Sequence, residues 1–424
     1  MAYRVYLVAC LLFCGILFNQ AEPGTDERVQ AAKQQLGNAL ANSDAAWTDY
    51  VNEYGGGSVL NLIAGPKTKD LPDAARANVF KRNFKAALRA MDKLNKDAEA
   101  EGYDAVAFGI NSHAHLDAED YAALRSTGLR TAQLPAPTSR RAGPQATAQR
   151  LPLAAASAAS TTCSSYSGNV GYTLGNAQAS ASVDWVAQGF VTGVRNQYGC
   201  GACAVFGATA LTEWVLMQRN KTYNNMTTDL SEDDLMQCES VQHDPIHAPS
   251  WNACQGSPLH SFIAAASCNG QGTEASFPYD AVDDLTCNAS PEAIAERSAV
   301  QNLSWAFVPS YPNSNADLMR AVTYAPTLIG LRASGKAWQY YRTGVMPCSA
   351  DADVTINTHA VAVVGYGYDK KARKEFYTIK NSWGAGWGEQ GFIRVERNCG
   401  YSQRYPYGPF NMFLWDSVMP VLNA

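Results

Sequence analysis

VRNQYGCGACAVFGATALTEWVLMQ, Val194 to Gln218, changes texture at Cys203. Before it the chain is polar and glycine-rich; after it an apolar run with helical spacing begins. The change predicts a helix that starts at Cys203. A helix start leaves backbone N–H groups unpaired and carries the positive end of the macrodipole. Both favour a thiolate, so Cys203 is a candidate nucleophile. On that ground alone, a buried structural cysteine or half of a disulfide would be the better reading.

A thiolate nucleophile needs a base or ion-pair partner, and a group that orients that base. The chain has six histidines. His113 and His115 lie in a helical N-terminal region, and His243, His247 and His260 lie in or just after a loop-rich stretch. His359 stands in NTHAVAVVGYGYD, where a polar stretch enters a strand, a rigid place for an imidazole. YTIKNSWGAGWGEQGFIRV then offers Asn381 at the end of a second strand. Its side-chain amide can accept the imidazole N–H, and Trp383 can cover that bond from water.

With these residues in view, the chain resembles the papain-like cysteine proteases, the cathepsin L and B class, over most of Val183–Tyr407. The motifs are Gln197 with Cys200-Gly201-Ala202-Cys203, His359 before Gly365-Tyr366-Gly367, and Asn381-Ser382-Trp383-Gly384 with Trp387-Gly388. They stand in the family's order. His359 follows Cys203 by 156 residues, against about 130–150 expected. ESVQHDPIHAPSWNA looks like an insertion within that span, and DKKARKEF looks like another, between His359 and Asn381, which follows Cys203 by 178 residues. The resemblance implies an α+β, papain-like fold of two subdomains, the left mainly helical and the right barrel-like in β-structure, with substrate in the cleft between them. It implies a cysteine-type peptidase (a hydrolase) needing no cofactor and no metal. Cys203 would attack the peptide carbonyl, His359 would form the ion pair and protonate the leaving amine, and Asn381 would orient His359. The Gln197 amide and the Cys203 N–H would form the oxyanion hole.

Two departures stand out. Ala204 follows the nucleophile where the family usually has Trp, which puts subsite shape and rate in question. Cys254-Gln255-Gly256-Ser257 keeps Gly256 but replaces the neighbouring glycine with Ser257. By register with the family, Gly256 contacts substrate backbone, and Leu259, Gly330 and Ala360 line the pocket for the second residue before the scissile bond. The same register suggests the bridges Cys200–Cys254, Cys238–Cys287 and Cys348–Cys399, leaving Cys163 and Cys268 as a fourth pair.

The remainder of the chain fits a secreted precursor. Residues 1–21 read as a signal peptide, since the apolar run Val5–Phe18 is too short to span a bilayer. Two of the eleven cysteines, Cys10 and Cys14, lie within it, and the other nine start at Cys163. Asn220, Asn225, Asn288 and Asn302 are glycosylation candidates in an oxidising secretory route, lysosomal or extracellular. Residues 25–130 read as helical, with one apolar face through Val29, Leu36 and Leu40 and another through Phe80, Phe84, Leu88 and Met91. They resemble the family's inhibitory propeptide: Trp47, Tyr50 and Tyr54 fit its first helix, and Gly109-Ile110-Asn111 fits the segment that turns toward the cleft. His113 and His115 stand where the family usually has Phe and Asp. Their simplest reading is two solvated histidines; an acid-sensitive docking contact is the alternative. Residues 131–180 form a Pro/Ala/Ser-rich linker and processing region containing Arg140-Arg141, and residues 181–424 form the catalytic domain.

The composition excludes other classes. The 424 residues are 46% apolar and 17% charged, with net charge −5, so the chain is not disordered, is no coiled coil and gives no sign of nucleic acid as a partner. Peptide or protein substrates and the chain's own propeptide are the expected partners, without a membrane span in the mature form, and a monomer is expected. Two rivals remain. One is a catalytically silent homologue acting in binding or structure, for which Ala204 speaks. The other is a metal or redox protein built on Cys200 and Cys203, which lacks a second ligand pair.

Overall fold

A computed structural model describes residues 25–123 and 168–422, apart from 59–61, 63, 65–66, 172–173, 175–176, 240–252, 283–286, 288–289, 291–294, 298–300, 309–313, 351–357 and 400–406. The expected signal peptide, most of the linker with Arg140 and Arg141, Cys163, His243, His247 and Asn288 lie outside the described residues.

Helical periodicity organises the N-terminal region. Helix α1 (Thr25–Ala41) carries Asp26 and Glu27 in its first turn, where the helix dipole favours negative charge. It buries Val29, Ala32, Leu36 and Ala39. Leu40, expected on that face, is 38% exposed, because the stripe turns through Ala39 instead. Helix α2 (Ser43–Gly55) starts at Asn42, whose Oδ1 accepts the Ala45 N–H, and stops at Gly56 in the left-handed region (φ 55°). Helix α3 (Asp73–Ala100) buries Phe80, Phe84, Ala87, Leu88 and Met91 at three- and four-residue spacing.

A short strand, β1 (Val106–Phe108), interrupts the helical pattern that the sequence suggests for this region. Three residues are too few to show a period of two. Two contacts hold it. Asn95 of α3 acts as a surrogate strand: its Nδ2 donates to Phe108 O at 2.8 Å, and its Oδ1 accepts from Phe108 N at 2.9 Å. On its other edge β1 pairs antiparallel with the strand Tyr341–Met346, Val106 opposite Gly344. Gly344 has φ 96°, and a Cβ there would lie 2.2 Å from Ala105 O, so glycine is required. The short helix α4 (Ala118–Ala123) follows.

The C-terminal region begins with β2 (Val183–Asp184). Next come three helices, α5 (Cys203–Arg219), α6 (Glu232–Glu239) and α7 (Ser261–Asn269). Beyond them lie β3 (Ser304–Val308), α8 (Ser314–Tyr324), β4 (Thr327–Leu331), α9 (Lys336–Gln339) and β5 (Tyr341–Met346). Strands β6 (His359–Asp369), β7 (Lys374–Lys380), β8 (Phe392–Glu396) and β9 (Ser417–Val421) complete it. Among the described residues the sheet order is β1-β5-β8-β7-β6-β4-β9-β3, with β2 on β6. Among the strand pairs of the described residues, β5–β8 is the parallel one.

Two large cores organise the described residues. One joins α5, α6 and α7 to one side of the sheet through Trp214, Leu235, Phe262, Trp305 and Ala360. The other runs without a break from the helical pre-domain into the sheet, from Phe80, Phe84 and Phe108 to Trp338, Tyr341, Trp383 and Trp387. The pre-domain is thus packed as part of the protein rather than tethered beside it.

Asn95→Ala should strand the buried polar groups of Phe108, at a cost of about 1–3 kcal/mol. A fall in the melting temperature, with faster amide exchange at 106–108, is the expected result. Unchanged exchange there would show that pairing with β5 alone holds the strand.

Candidate active site

Helix α5 is apolar nearly all round and buried from Cys203 to Thr209 and from Leu211 to Met217, as a helix crossing a core must be. Its first residue is delivered to the start of β6. Cys203 is fully buried, and among the described residues it is the cysteine outside any disulfide. Burial pushes its thiol up to about 11, against backbone hydrogen bonds at Ala360, Ala204 and Cys203 itself. The helix start alone predicts a lowered value. In this docked state desolvation of the thiolate outweighs those backbone groups.

His359, the first residue of β6, is fully buried beside Ala360. Its Nε2 lies 2.7 Å from Asn381 Oδ1. Because a carboxamide oxygen only accepts, Nε2 carries the proton and Nδ1 is the nitrogen suited to exchange with a thiol. Trp383 stacks on the imidazole at 4.8 Å between centroids and 25° between planes, shielding that bond. Asn381 Oδ1 also accepts the Ser382 N–H at 2.8 Å. Gln197 is fully buried. Its Nε2 donates to Cys200 O at 2.9 Å, its Oε1 accepts from Ser382 Oγ at 2.5 Å, and its backbone N–H donates to Ser382 O at 2.9 Å. Tyr279 Oη donates to Gln197 O at 2.9 Å, and the Tyr279 ring meets Phe206 edge-on at 5.0 Å. That aromatic pair lies one turn into the helix whose second residue is the small, buried Ala204.

Beneath these groups a buried polar junction ties α5 to β7. Lys380, immediately before Asn381, donates to Thr192 Oγ1 at 2.7 Å and stands 3.8 Å from Glu213 of α5. Thr192 in turn donates to Glu213 at 2.5 Å. Burial raises the Glu213 carboxyl above its usual range, opposed first by Lys380 and then by Thr192. Neither Glu213 nor Tyr279 is singled out by the sequence reading. The signal for Glu213 is a lone carboxylate inside the apolar run ATALTEWVLM; Tyr279 carries no such signal.

The pocket residues gather nearby. Leu259 and Ala360 share the core that holds Cys203, and Gly330 is the register partner of Ala360. Gly256 (φ 93°) is buried two residues after the bridged Cys254. The structure joins Cys200 to Cys254, Cys238 to Cys287 and Cys348 to Cys399. Of the glycosylation candidates described, Asn220 and Asn302 are exposed and Asn225 is half-buried. His260 sits apart, stacked on Trp305.

The pre-domain reaches the same place. His113 and Tyr121 meet the Trp383 ring edge-on at 5.4 and 5.8 Å. Asn111 Nδ2 donates to Gln339 O and Tyr341 O, Gln339 Nε2 donates to Leu116 O, and Ser112 N donates to Gly386 O. His113 and His115 are not solvated, as their simplest reading has it; they are 1% and 0% exposed. His115 Nδ1 lies 2.6 Å from Tyr50 Oη, with Phe80 against its ring.

A family model described as papain family cysteine protease matches residues 179–408. Cysteine proteinase EP-B 1 of Hordeum vulgare is 38% identical over 224 residues, covering 52% of this chain and 55% of that protein. Zingipain-2 of Zingiber officinale is 34% identical over 220 residues, covering 51% and 87%. The match thus spans little more than half the length of the first of these relatives. Among solved structures, a recombinant stem bromelain precursor superposes with TM-score 0.63 at 23% identity, covering 91% of this chain and 99% of that one. Digestive procathepsin L 3 of the Tenebrio molitor larval midgut gives 0.63 at 20%, covering 89% and 99%. These likenesses establish the fold, helical pre-domain included.

Iodoacetamide should alkylate Cys203 slowly in the intact chain at neutral pH. After cleavage in the 131–180 region the rate should rise about tenfold for each unit by which the thiol pKa falls. Equal rates in the two forms would show that burial is not what keeps the thiol protonated.

Proposed function

The chain belongs to the papain family of cysteine proteases, and on that premise we propose that it is a cysteine endopeptidase made as a zymogen. The observation that carries this reading is the His359–Asn381 bond of 2.7 Å, stacked under Trp383 at the strand end whose Ala360 backbone meets the Cys203 sulfur.

In the proposed mechanism, the Cys203 proton passes to His359 Nδ1 and the thiolate attacks the scissile carbonyl. The resulting oxyanion would be met by the Cys203 N–H and the Gln197 side-chain amide. The imidazolium, held by Asn381, returns its proton to the leaving amine as the C–N bond breaks. Water, deprotonated by His359, then hydrolyses the thioester and frees Cys203. Gly256 would bind substrate backbone. Leu259, Gly330 and Ala360 would accept an apolar side chain at the second position before the cut.

Residues 25–130 would act as an intramolecular inhibitor, released by cleavage within 131–180 to leave a catalytic domain of 181–424. The edge contacts of His113 and Tyr121 on Trp383 support this, since they cover the ring that covers the catalytic bond. Secretory processing and a lysosomal or extracellular location are consistent with the bridged cysteines. No helix among the described residues is long and apolar enough to cross a membrane. A catalytically silent homologue is the second reading, favoured by Ala204 alone.

After processing, an epoxide thiol inhibitor should label Cys203 and abolish peptide cleavage. Cys203→Ala or His359→Ala should remove at least about 10³-fold of turnover. No labelling together with no cleavage of any peptide would leave the silent homologue standing.

Docking itself should be sensitive to acid. Burial disfavours a charged imidazole, so contacts made by neutral His113 and His115 are intact above the ordinary histidine value near 6.5 and weaken as pH falls below it. The groups against them are Tyr50, Phe80, Tyr121 and Trp383, with the amides of Asn111 and Gln339. His113→Phe with His115→Gln should shift self-processing to lower pH. An unchanged pH profile would exclude these two residues as the trigger.

A further inference from the structure

Among the described residues the sheet ends at β3, and an end strand shows a row of backbone N–H and C=O groups to whatever lies beside it. On β3 that row is answered by the stretch just ahead of the catalytic domain. Trp305 N–H donates to Gly168 O at 3.0 Å, and Val170 N–H donates to Trp305 O at 2.9 Å. Asn169 stands opposite Trp305 in a parallel bridge. On the other side of β3, β9 sets Pro420 opposite Trp305, and proline has no N–H to give. The fit is tight. Gly168 has φ 80°, and a Cβ there would lie 2.2 Å from Ser267 Oγ and 2.3 Å from Leu303 O, so glycine is required between α7 and β3. Further along, Leu174 packs on the core that holds Trp214 and Trp305. Ser180 N–H then donates to Thr323 Oγ1 at 3.2 Å, and Ser180 O accepts from Tyr366 Oη at 2.7 Å.

The residue after Ser267 is Cys268, which is disulfide-bonded. Six other cysteines pair among themselves, and Cys203 is free. Cys10, Cys14 and Cys163 remain, the first two in the expected signal peptide. Cys163 is five residues before Gly168, a length of chain that reaches about 17 Å, and Gly168 lies against Ser267. We propose that Cys163 is bonded to Cys268 and that residues 163–180 are a permanent arm of the catalytic domain, laid along β3. Activation would then cut before Cys163, within 131–162, and the released inhibitor would leave the arm behind. The arm's surface is specific for this occupant: the edge of β3 supplies the backbone pairing, the gap at Ser267 admits only glycine, and Cys268 supplies the bond.

Retention of the arm after activation rests on the zymogen reading; its attachment does not, and the test separates the two. The full chain is produced in an oxidising host, allowed to process itself, and digested with pepsin without reduction. A peptide pair joined through Cys163 and Cys268 is expected before and after processing, and the mature N-terminus is expected between residues 132 and 163. A cut inside the arm whose N-terminal piece comes away only on reduction supports the attachment equally. In the mature enzyme, blocked at Cys203 with an epoxide inhibitor, the Trp305 amide should exchange slowly. Gly168→Val should speed that exchange about tenfold, the worth of one hydrogen bond of ordinary net strength. Cys163→Ser, which puts no bulk into the gap, should leave Cys268 open to iodoacetamide and lower the melting temperature by about 5–10 °C. A mature chain that begins after residue 171, with no arm peptide released by reduction, overturns the proposal. So does an alkylated Cys163 in the unreduced wild-type chain, or Trp305 exchange that Gly168→Val leaves unchanged. A chain that is neither cut nor active overturns the zymogen reading; the joined peptides in that uncut chain would still support the attachment, and their absence would overturn it as well.

Discussion

Everything at the candidate site depends on α5 packing end-on against the first residues of β6. A helix buried on all sides has little freedom to slide or roll, because neighbours on every face fix its register. Its N-terminus therefore presents Cys203 at one defined place, against the Ala360 backbone. His359 is adjacent along a strand that β4 and β7 pin on either side. Neither residue has to be steered by a loop. Lys380 and Glu213 add a polar tie between the same two elements, ten residues along α5 from the thiol and one residue before Asn381. A buried pair of this kind is weak evidence for stability but good evidence for register, since slippage would leave a charge unpaired.

Trp383 belongs to two systems at once. Toward the site it stacks on His359; toward the pre-domain it receives the edges of His113 and Tyr121. The core that contains it is continuous from α3 to β8. Removing the pre-domain would thus uncover apolar surface around this ring, where a peptide could take its place.

Much of this was legible in the residues. The helix start at Cys203, the strand at His359 and the position of Asn381 after a second strand follow from local texture, because each coincides with a sharp change from polar to apolar. The faces of α1 and α3 follow from spacing, with Leu40 misplaced by a single position. The strand β1 was not legible. It is held by the amide of Asn95 and by Gly344, partners 11 and 238 residues from Val106, and nothing local announces either. Nor was the burial of His113 and His115, since a polar residue in a helical stretch gives no sign of what will later close over it. Nor was the burial that raises the Cys203 thiol legible: the helix dipole is local, but desolvation is set by the whole fold.

On the proposed reading, that burial bears on how one chain could hold a nucleophile and keep it silent. A lowered thiol pKa requires that charge be stabilised by more than burial removes. In the docked chain the balance lies with burial, and the hydrogen bonds at Ala360, Ala204 and Cys203 do not reverse it. Those bonds belong to α5 and β6, which do not need the pre-domain to hold their positions. On the proposed reading, solvent and its dielectric are what would change when the pre-domain leaves. Silence would then come from removing water rather than from displacing a catalytic group, so that activation requires no rebuilding of the site.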